Sequence, residues 1–380
     1  MAVVSNFFVE SAELAPGTRR ASNRYGVDYR ALAKRLGPPP CPIFDFHTHV
    51  NGERAAVIWA EAADAFGVDR LLTMVPLQEA ATVTRVLGKR VGLIAFPNFR
   101  APDRGLAMRQ GFLDDIKRFH DEHGSRMIKL WNAPRLREFF PEATGLDLIE
   151  FDGQTRVQHI ELAQRLNMSV MVHIADPDTW FATKYADAEI YGAKRDHYRG
   201  LKVILNRFAD VKFVAAHMGG YAEDLAFLDG LLAEHSNLSL DCSATKWMVR
   251  ELSRYPAQRI HEFLARWSGR VMFGSDLVST DEHLTPTEAA IKHPMADLAE
   301  SAESAFDLYA SRYAAYRVMF ERDFDGQSPI ADPDLMMVDP QRYNAMDAPA
   351  MRGLGLDVTT LKMLYSGAAE GYLAATGWEV

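Results

Sequence analysis

The chain has 380 residues, 48% of them hydrophobic and 24% charged, with a formal net charge of −9. This is a globular composition with ample apolar material for a large core; its acidity and lack of Lys or Arg runs exclude a nucleic-acid partner, and no 18-residue apolar stretch predicts a membrane span. Two cysteines, Cys41 and Cys242, are too few for a disulfide framework, and the opening Phe7-Phe8-Val9 followed by Glu10 and Glu13 is unlike a signal peptide, so a reducing cytoplasmic setting is expected.

Residues 1–42 read as an N-terminal extension that ends in Gly37-Pro38-Pro39-Pro40. Eight short apolar runs follow, at 43–50, 70–77, 91–99, 126–131, 168–175, 211–219, 238–244 and 271–277. Amphipathic stretches such as 105–120 and 155–165 lie between them. Runs that are continuously apolar, rather than alternating, belong to strands buried on both faces of a parallel sheet. Eight strands alternating with helices predict an α/β fold, a (β/α)8 TIM barrel over 43–380. Two segments exceed the repeating unit. Residues 176–200 follow the fifth strand, and the insertion 278–355 follows the eighth, with a helical stretch near 298–322 and a Pro/Asp-rich part at 328–340. Segment 357–375 is expected to be the last barrel helix. Both insertions leave the strand ends where barrels build active sites, so they are read as lids, specificity loops or the contact of a homodimer.

Chemistry gathers at the strand ends. His47 and His49, in Asp45-Phe46-His47-Thr48-His49, are two apart on a strand and share a face. His173 closes Val170-Met171-Val172, His217 closes Phe213-Val214-Ala215-Ala216, and Asp276 closes Val271-Met272-Phe273-Gly274-Ser275. Ending a buried apolar run in an unpaired polar group is costly, so independent repetition of the pattern points to one shared partner. Imidazoles and a carboxylate make a suitable donor set for Zn²⁺ or a similar cation.

These motifs resemble the amidohydrolase superfamily: HxH after strand one, His after strands five and six, and the terminal Gly-Ser-Asp. Within it they are most similar to the amidohydrolase 2 branch, which holds aminocarboxymuconate-semialdehyde and resorcylate-type decarboxylases together with lactone and carbon–carbon bond hydrolases. The resemblance implies that His47, His49, His173 and Asp276 hold one divalent ion per chain, Zn²⁺ or another such as Mn²⁺. It implies that Asp276 also accepts the proton of the attacking water, and that His217 stabilises charge on the substrate. Glycines 219 and 220 would let backbone approach a ligand. Related binuclear barrels carry a carbamylated lysine at the position of Lys129, which is read here instead as a substrate contact or structural cation.

Arg54, Arg100 and Lys246 are candidates for binding a substrate carboxylate. Asp45 is a candidate for orienting a histidine ligand. Trp131, Trp180 and Trp247 are read as core residues with pocket lining as the alternative. His283 and His293 are expected at the surface, and Met336 and Met337 in packing. The expected activity is hydrolysis of an amide, lactone, ester or carbon–carbon bond beside a carbonyl in a small-molecule substrate. Non-oxidative decarboxylation of an unsaturated or aromatic acid is the alternative, and a barrel kept only for binding is disfavoured because every proposed ligand is present.

Overall fold

The computed structural model describes Phe8 and residues 20–140, 146–285 and 299–380. Each of the eight apolar runs contributes a strand: β1 (Ile43–Asn51), β2 (Val68–Met74), β3 (Val91–Ile94), β4 (Met127–Trp131), β5 (Ser169–His173), β6 (Phe213–Ala215), β7 (Leu238–Asp241) and β8 (Val271–Met272). Neighbours pair in parallel as β3-β2-β1 and as β4-β5-β6-β7-β8.

Two seams join these halves into a closed ring. Ala95, just past β3, bridges to Ile128, with its N–H donating to Met127 O at 2.9 Å and Lys129 N–H donating to its carbonyl at 2.8 Å. At the other seam Phe46 N–H donates to Phe273 O at 2.9 Å, and Asp276 N–H donates to His47 O at 2.8 Å. Closure removes the free edges that the β1–β8 sheet would otherwise present. A ninth strand, β9 (Leu277–Thr280), continues outward from β8 and pairs in parallel with β1.

Alternation along the strands sorts side chains into two layers. Phe44, Phe46, Leu72, Met74, Ile94, Met127, Met171, Val214 and Met272 fill the barrel interior, where Tyr372 and Trp378 of the C-terminal segment join them. The intervening residues, such as Ile128, Val170, Val172 and Phe213, face the surrounding helices. Above the apolar interior the inward positions turn polar, and this change marks the mouth. In β1 the register slips between Asp45 and Thr48. A bulge of this kind changes which side chains face in, so Phe46 packs in the interior while His47 and His49 both reach the cavity above it.

Among its described residues, the insertion after β8 holds a core helix and also lines the cavity at the barrel mouth. Its helix Ala302–Glu321 is buried along most of its length and packs against the helix Glu53–Phe66. A helix buried around most of its circumference is a core element, even where it carries Arg312 and Arg317. It also braces the mouth from beneath: Tyr313 O–H donates to Asp45 Oδ2 at 2.9 Å, and Tyr316 O–H donates to the carbonyl of Cys242. His283, expected at the surface, is fully buried with Nδ1 2.9 Å from Tyr309 Oη. His293 lies outside the described residues. Met336, expected in packing, is exposed. The helix Tyr29–Leu36 of the N-terminal extension places Leu32 and Leu36 in the main core. Among the described residues no helix is long and apolar enough to cross a membrane.

Candidate metal centre

The loops that leave β6, β7 and β8 are tightly bent. His217, Met218, Ala244 and Asp276 all have positive φ, at 59°, 52°, 62° and 54°. Residues with a Cβ adopt this region at a cost, and such positions concentrate where function demands them. Gly220 (φ 69°) has a different reason to be glycine: a Cβ there would lie 2.1 Å from Ala175 O. It permits close packing of the β5 and β6 loops, rather than the approach to a ligand that the sequence suggested.

The bent loops bring His47, His217 and Asp276 together, with one ligand atom of each within 4.8 Å of the others. His47 Nε2 is 3.2 Å and His49 Nε2 3.4 Å from the same oxygen, Asp276 Oδ1. His173 adjoins this group, its ring centroid 4.6 Å from that of His217, outside the tightest cluster.

Each of three imidazoles is held from behind by an oxygen. His47 Nδ1 bonds Asp241 Oδ2 at 2.8 Å, His217 Nδ1 bonds Ser243 Oγ at 2.7 Å, and His173 Nε2 bonds Asp176 Oδ1 at 2.9 Å. Asp176 in turn accepts from Tyr185 O–H at 2.7 Å. Asp241 is the hub. Besides His47 it accepts from His217 N–H at 2.8 Å, from Ser243 N–H at 3.1 Å and from the Ser243 hydroxyl. Burial raises the pKa of this carboxylate, but His47 and the other charges and donors hold it well below the usual range.

This arrangement fixes tautomers. Asp241 is an acceptor only, so His47 carries its proton on Nδ1 and turns the Nε2 lone pair toward Asp276 Oδ1. Two lone-pair atoms facing each other at such a distance are held together by a proton or by a metal cation between them. Burial and Lys129 both lower the His47 pKa, yet the carboxylates of Asp241 and Asp276 outweigh them and raise it. The same demand for positive charge draws in Lys129, whose Nζ is 3.2 Å from His47 Nε2 and whose pKa burial lowers to about 8. The donor set thus fits a divalent ion, with Lys129 as the protein's own competitor for the position.

His217 takes a different form from the one expected. The single proton of Ser243 is committed to Asp241, so Ser243 Oγ accepts from His217 Nδ1. Nε2 of His217 therefore bears a lone pair, and burial pulls the pKa well below the ordinary value, which keeps the ring neutral. A neutral ring in this tautomer binds a metal or accepts a proton; it does not donate to a substrate oxygen. Asp276 stays ionised, because the surrounding imidazoles outweigh the effect of burial.

Asp45 does not orient a histidine ring. Its carboxylate accepts from Ser275 N–H at 2.9 Å, Ser275 O–H at 2.6 Å and Tyr313 O–H, and so fixes the turn that presents Asp276. The role assigned to it belongs to Asp241, which ends the apolar run Leu238-Ser239-Leu240 just as Asp276 follows its own.

The cluster lies at the base of a cavity of about 620 Å³. Phe96, Phe99, Trp131 and Trp247 form apolar walls, so two of the three candidate tryptophans line it. Trp180 stands behind Trp247, and the indole N–H groups of both donate to Asp334 Oδ2, at 2.9 and 3.0 Å. Arg100 and Lys246 reach the cavity, whereas Arg54 is exposed on the helix Glu53–Phe66 outside it.

No protein-family model and no curated protein matches the chain. Several solved structures are similar to it at low identity. An amidohydrolase from Burkholderia multivorans with bound HEPES is 13% identical, with 89% of this chain and 100% of that one covered and a TM-score of 0.40. 5-Carboxyvanillate decarboxylase from Sphingomonas paucimobilis is 11% identical, with 73% and 98% covered and a TM-score of 0.39. Dihydroxybenzoic acid decarboxylase from Polaromonas sp. JS666, with bound manganese and 2-nitroresorcinol, is 11% identical, with 71% and 97% covered and a TM-score of 0.39. All three scores are below 0.5, so the case for a metal centre rests on the geometry of His47, His49, His173, His217 and Asp276.

Proposed function

We propose that the chain is a metal-dependent hydrolase of a small organic substrate, with one divalent ion, Zn²⁺ or Mn²⁺, held by His47, His49, His173 and Asp276. The observation that carries this reading is the confrontation of His47 Nε2 with Asp276 Oδ1 at 3.2 Å, imposed by the bond from Asp241 behind the ring. His173 suits the same role through Nδ1, since its Nε2 is committed to Asp176. A divalent ion supplies two things to such a reaction, polarisation of a carbonyl and acidification of water near neutral pH.

The protein's own groups do the rest. Asp276, kept ionised beside the imidazoles, accepts the proton of the attacking water. His217, neutral with a free Nε2, is the second base within reach and relays that proton toward the leaving group. Lys129, which lines the cavity beside His47, would hold the developing negative charge of the substrate. The aromatic walls exclude bulk water and strengthen these interactions.

Non-oxidative decarboxylation is the second reading, favoured by the cavity lining. Six lysines and arginines face three carboxylates there, against flat aromatic walls, although the whole chain is acidic. Such a pocket suits a conjugated carboxylate. The two readings separate on a panel of lactones, amides and aromatic acids assayed in ¹⁸O water with carbon dioxide collected. Incorporation of ¹⁸O into fresh product marks hydrolysis, and release of carbon dioxide without it marks decarboxylation. Preparations with no bound metal after purification without chelator would sink both.

A further inference from the structure

Arg312 lies on the helix Ala302–Glu321 and lines the same cavity as the histidine cluster, yet it is only 8% exposed. Its Nη1 donates to Leu308 O at 3.2 Å and Ser311 Oγ at 2.8 Å, both uncharged. Among the described residues no carboxylate is within ion-pair distance of it, and its other N–H groups open on the cavity rather than on a protein acceptor.

The other buried arginines differ. Arg317, on the same helix, is clamped by Glu321 at 2.7 and 2.9 Å, and Arg250 is held by Asp332 and Glu251. Arg24 and Arg156 spend their N–H groups largely on carbonyls and do not line the cavity. Of the other cavity cations, Lys129 meets His47 Nε2 at 3.2 Å and Lys246 lies 3.9 Å from Asp334. Arg100 pairs with Glu282 at 3.1 Å, Arg135 with Glu138 at 3.1 Å, and Arg104 is exposed over the Phe139 ring. Burying a guanidinium with no counter-charge is unfavourable, and burial lowers its pKa to about 10. An anion arriving from solution would relieve that cost.

The position of Arg312 says where the anion sits. Tyr309, one turn earlier on the helix, bonds through its hydroxyl to Thr280 N–H at 3.3 Å, and Thr280 also lines the cavity. Thr280 lies at the outer end of β9, on the order of 10 Å along an extended strand from Asp276. We infer that Arg312 is a specificity residue that takes a carboxylate or similar oxyanion on the substrate, remote from the bond being broken, in the bidentate geometry of its guanidinium. Substrates of this site then carry an anionic group in addition to the group that meets the metal. The assignment rests on the metal-centre reading for what happens at the other end of the substrate.

Titration calorimetry with terephthalate and benzoate tests it, on metal-loaded and on chelator-stripped protein. The metal-loaded wild type should prefer the dianion by about tenfold or more, the strength expected of a charge-assisted pair, and the stripped form should bind either acid through Arg312. Arg312→Met should lose that preference while binding the same amount of metal. Arg312→Lys, which keeps the charge without the fork, should fall between, and it carries the test if the Met variant fails to fold. Equal binding of the two acids by the metal-loaded wild type, or a preference that survives in Arg312→Met and Arg312→Lys, overturns the assignment. Arg312-dependent binding of the acids by protein that takes up no metal leaves the anion site standing and removes the metal-centre reading instead.

Discussion

Asp241 Oδ2 stands 2.8 Å from His47 Nδ1, and both groups are sealed from solvent at the mouth of the barrel. Acceptors behind imidazoles raise ligand basicity and fix the tautomer, and losing them commonly costs about 10- to 100-fold in metal affinity. Asp241→Asn should therefore weaken metal binding by that much. The check is the metal bound at equilibrium in a series of buffered Zn²⁺ concentrations. A variant that holds the ion as tightly as the wild type would show that the carboxylate does not orient His47.

Asp276 and His217 separate by role. Asp276→Asn removes a charged ligand and a base, so metal content and turnover should fall together. His217→Asn should keep its ion and lose turnover on the order of a hundredfold or more, as expected for loss of a proton-transfer group. Metal content measured beside activity on any substrate from the panel decides between them. If His217→Asn loses its metal as completely as Asp276→Asn does, His217 is a ligand.

His159 gives the fold an acid sensitivity. It is buried, with Nδ1 lacking a partner, and burial lowers its pKa from 6.5 to about 3. The folded ring stays neutral, whereas the unfolded chain takes up a proton below pH 6.5. The stabilisation is thus present above 6.5 and is lost as pH falls from there toward 3. Linkage puts the loss from this residue near 2 kcal/mol between pH 7 and pH 5. His159→Phe, packed on Phe112, should flatten that part of the profile in urea titrations at the two pH values. An unchanged slope would mean that the ring is already charged in the folded state.

Arg250 joins three elements near the cavity. It meets Asp332, Glu251 at 2.6 Å and Asp334 at 3.3 Å, and Asp334 holds the indoles of Trp180 and Trp247. Arg250→Met leaves buried carboxylates without their counter-charge, a loss of about 3–5 kcal/mol by analogy with other broken buried pairs. Urea denaturation measures it. A loss below 1 kcal/mol, roughly the value of an exposed pair, would mean that water replaces the guanidinium.

The eight strands were legible because a strand covered on both faces must be apolar along its length, and that pattern is local. His47, His173, His217 and Asp276 were legible as polar ends of such runs. Asp241 carries the same mark at the end of β7, but Asp45 lies beside the HxH pair in sequence, so proximity along the chain points to the wrong carboxylate. Asp176 and Tyr185 leave no periodic trace, because they sit in the irregular segment after β5. The slip in β1 was equally hidden: nothing local distinguishes Phe46, which enters the interior, from its neighbour His47, which enters the cavity. The burial of the helix Ala302–Glu321 depends on where the chain returns after a long excursion, and only tertiary structure decides that.

The floor of the barrel has a consequence for how the molecule assembles. Phe46 of β1 meets Tyr372 of the helix Ala368–Thr376 edge to face, with ring centroids 5.4 Å apart, and Trp378 joins the same interior cluster. The first barrel strand is thus covered by a segment that lies far along the chain from it. Contacts between such distant parts of a chain slow folding, because the loop between them must close before they stabilise anything. A partly folded barrel holds Phe44 and Phe46 without their final cover, which exposes it to aggregation until the helix Ala368–Thr376 docks.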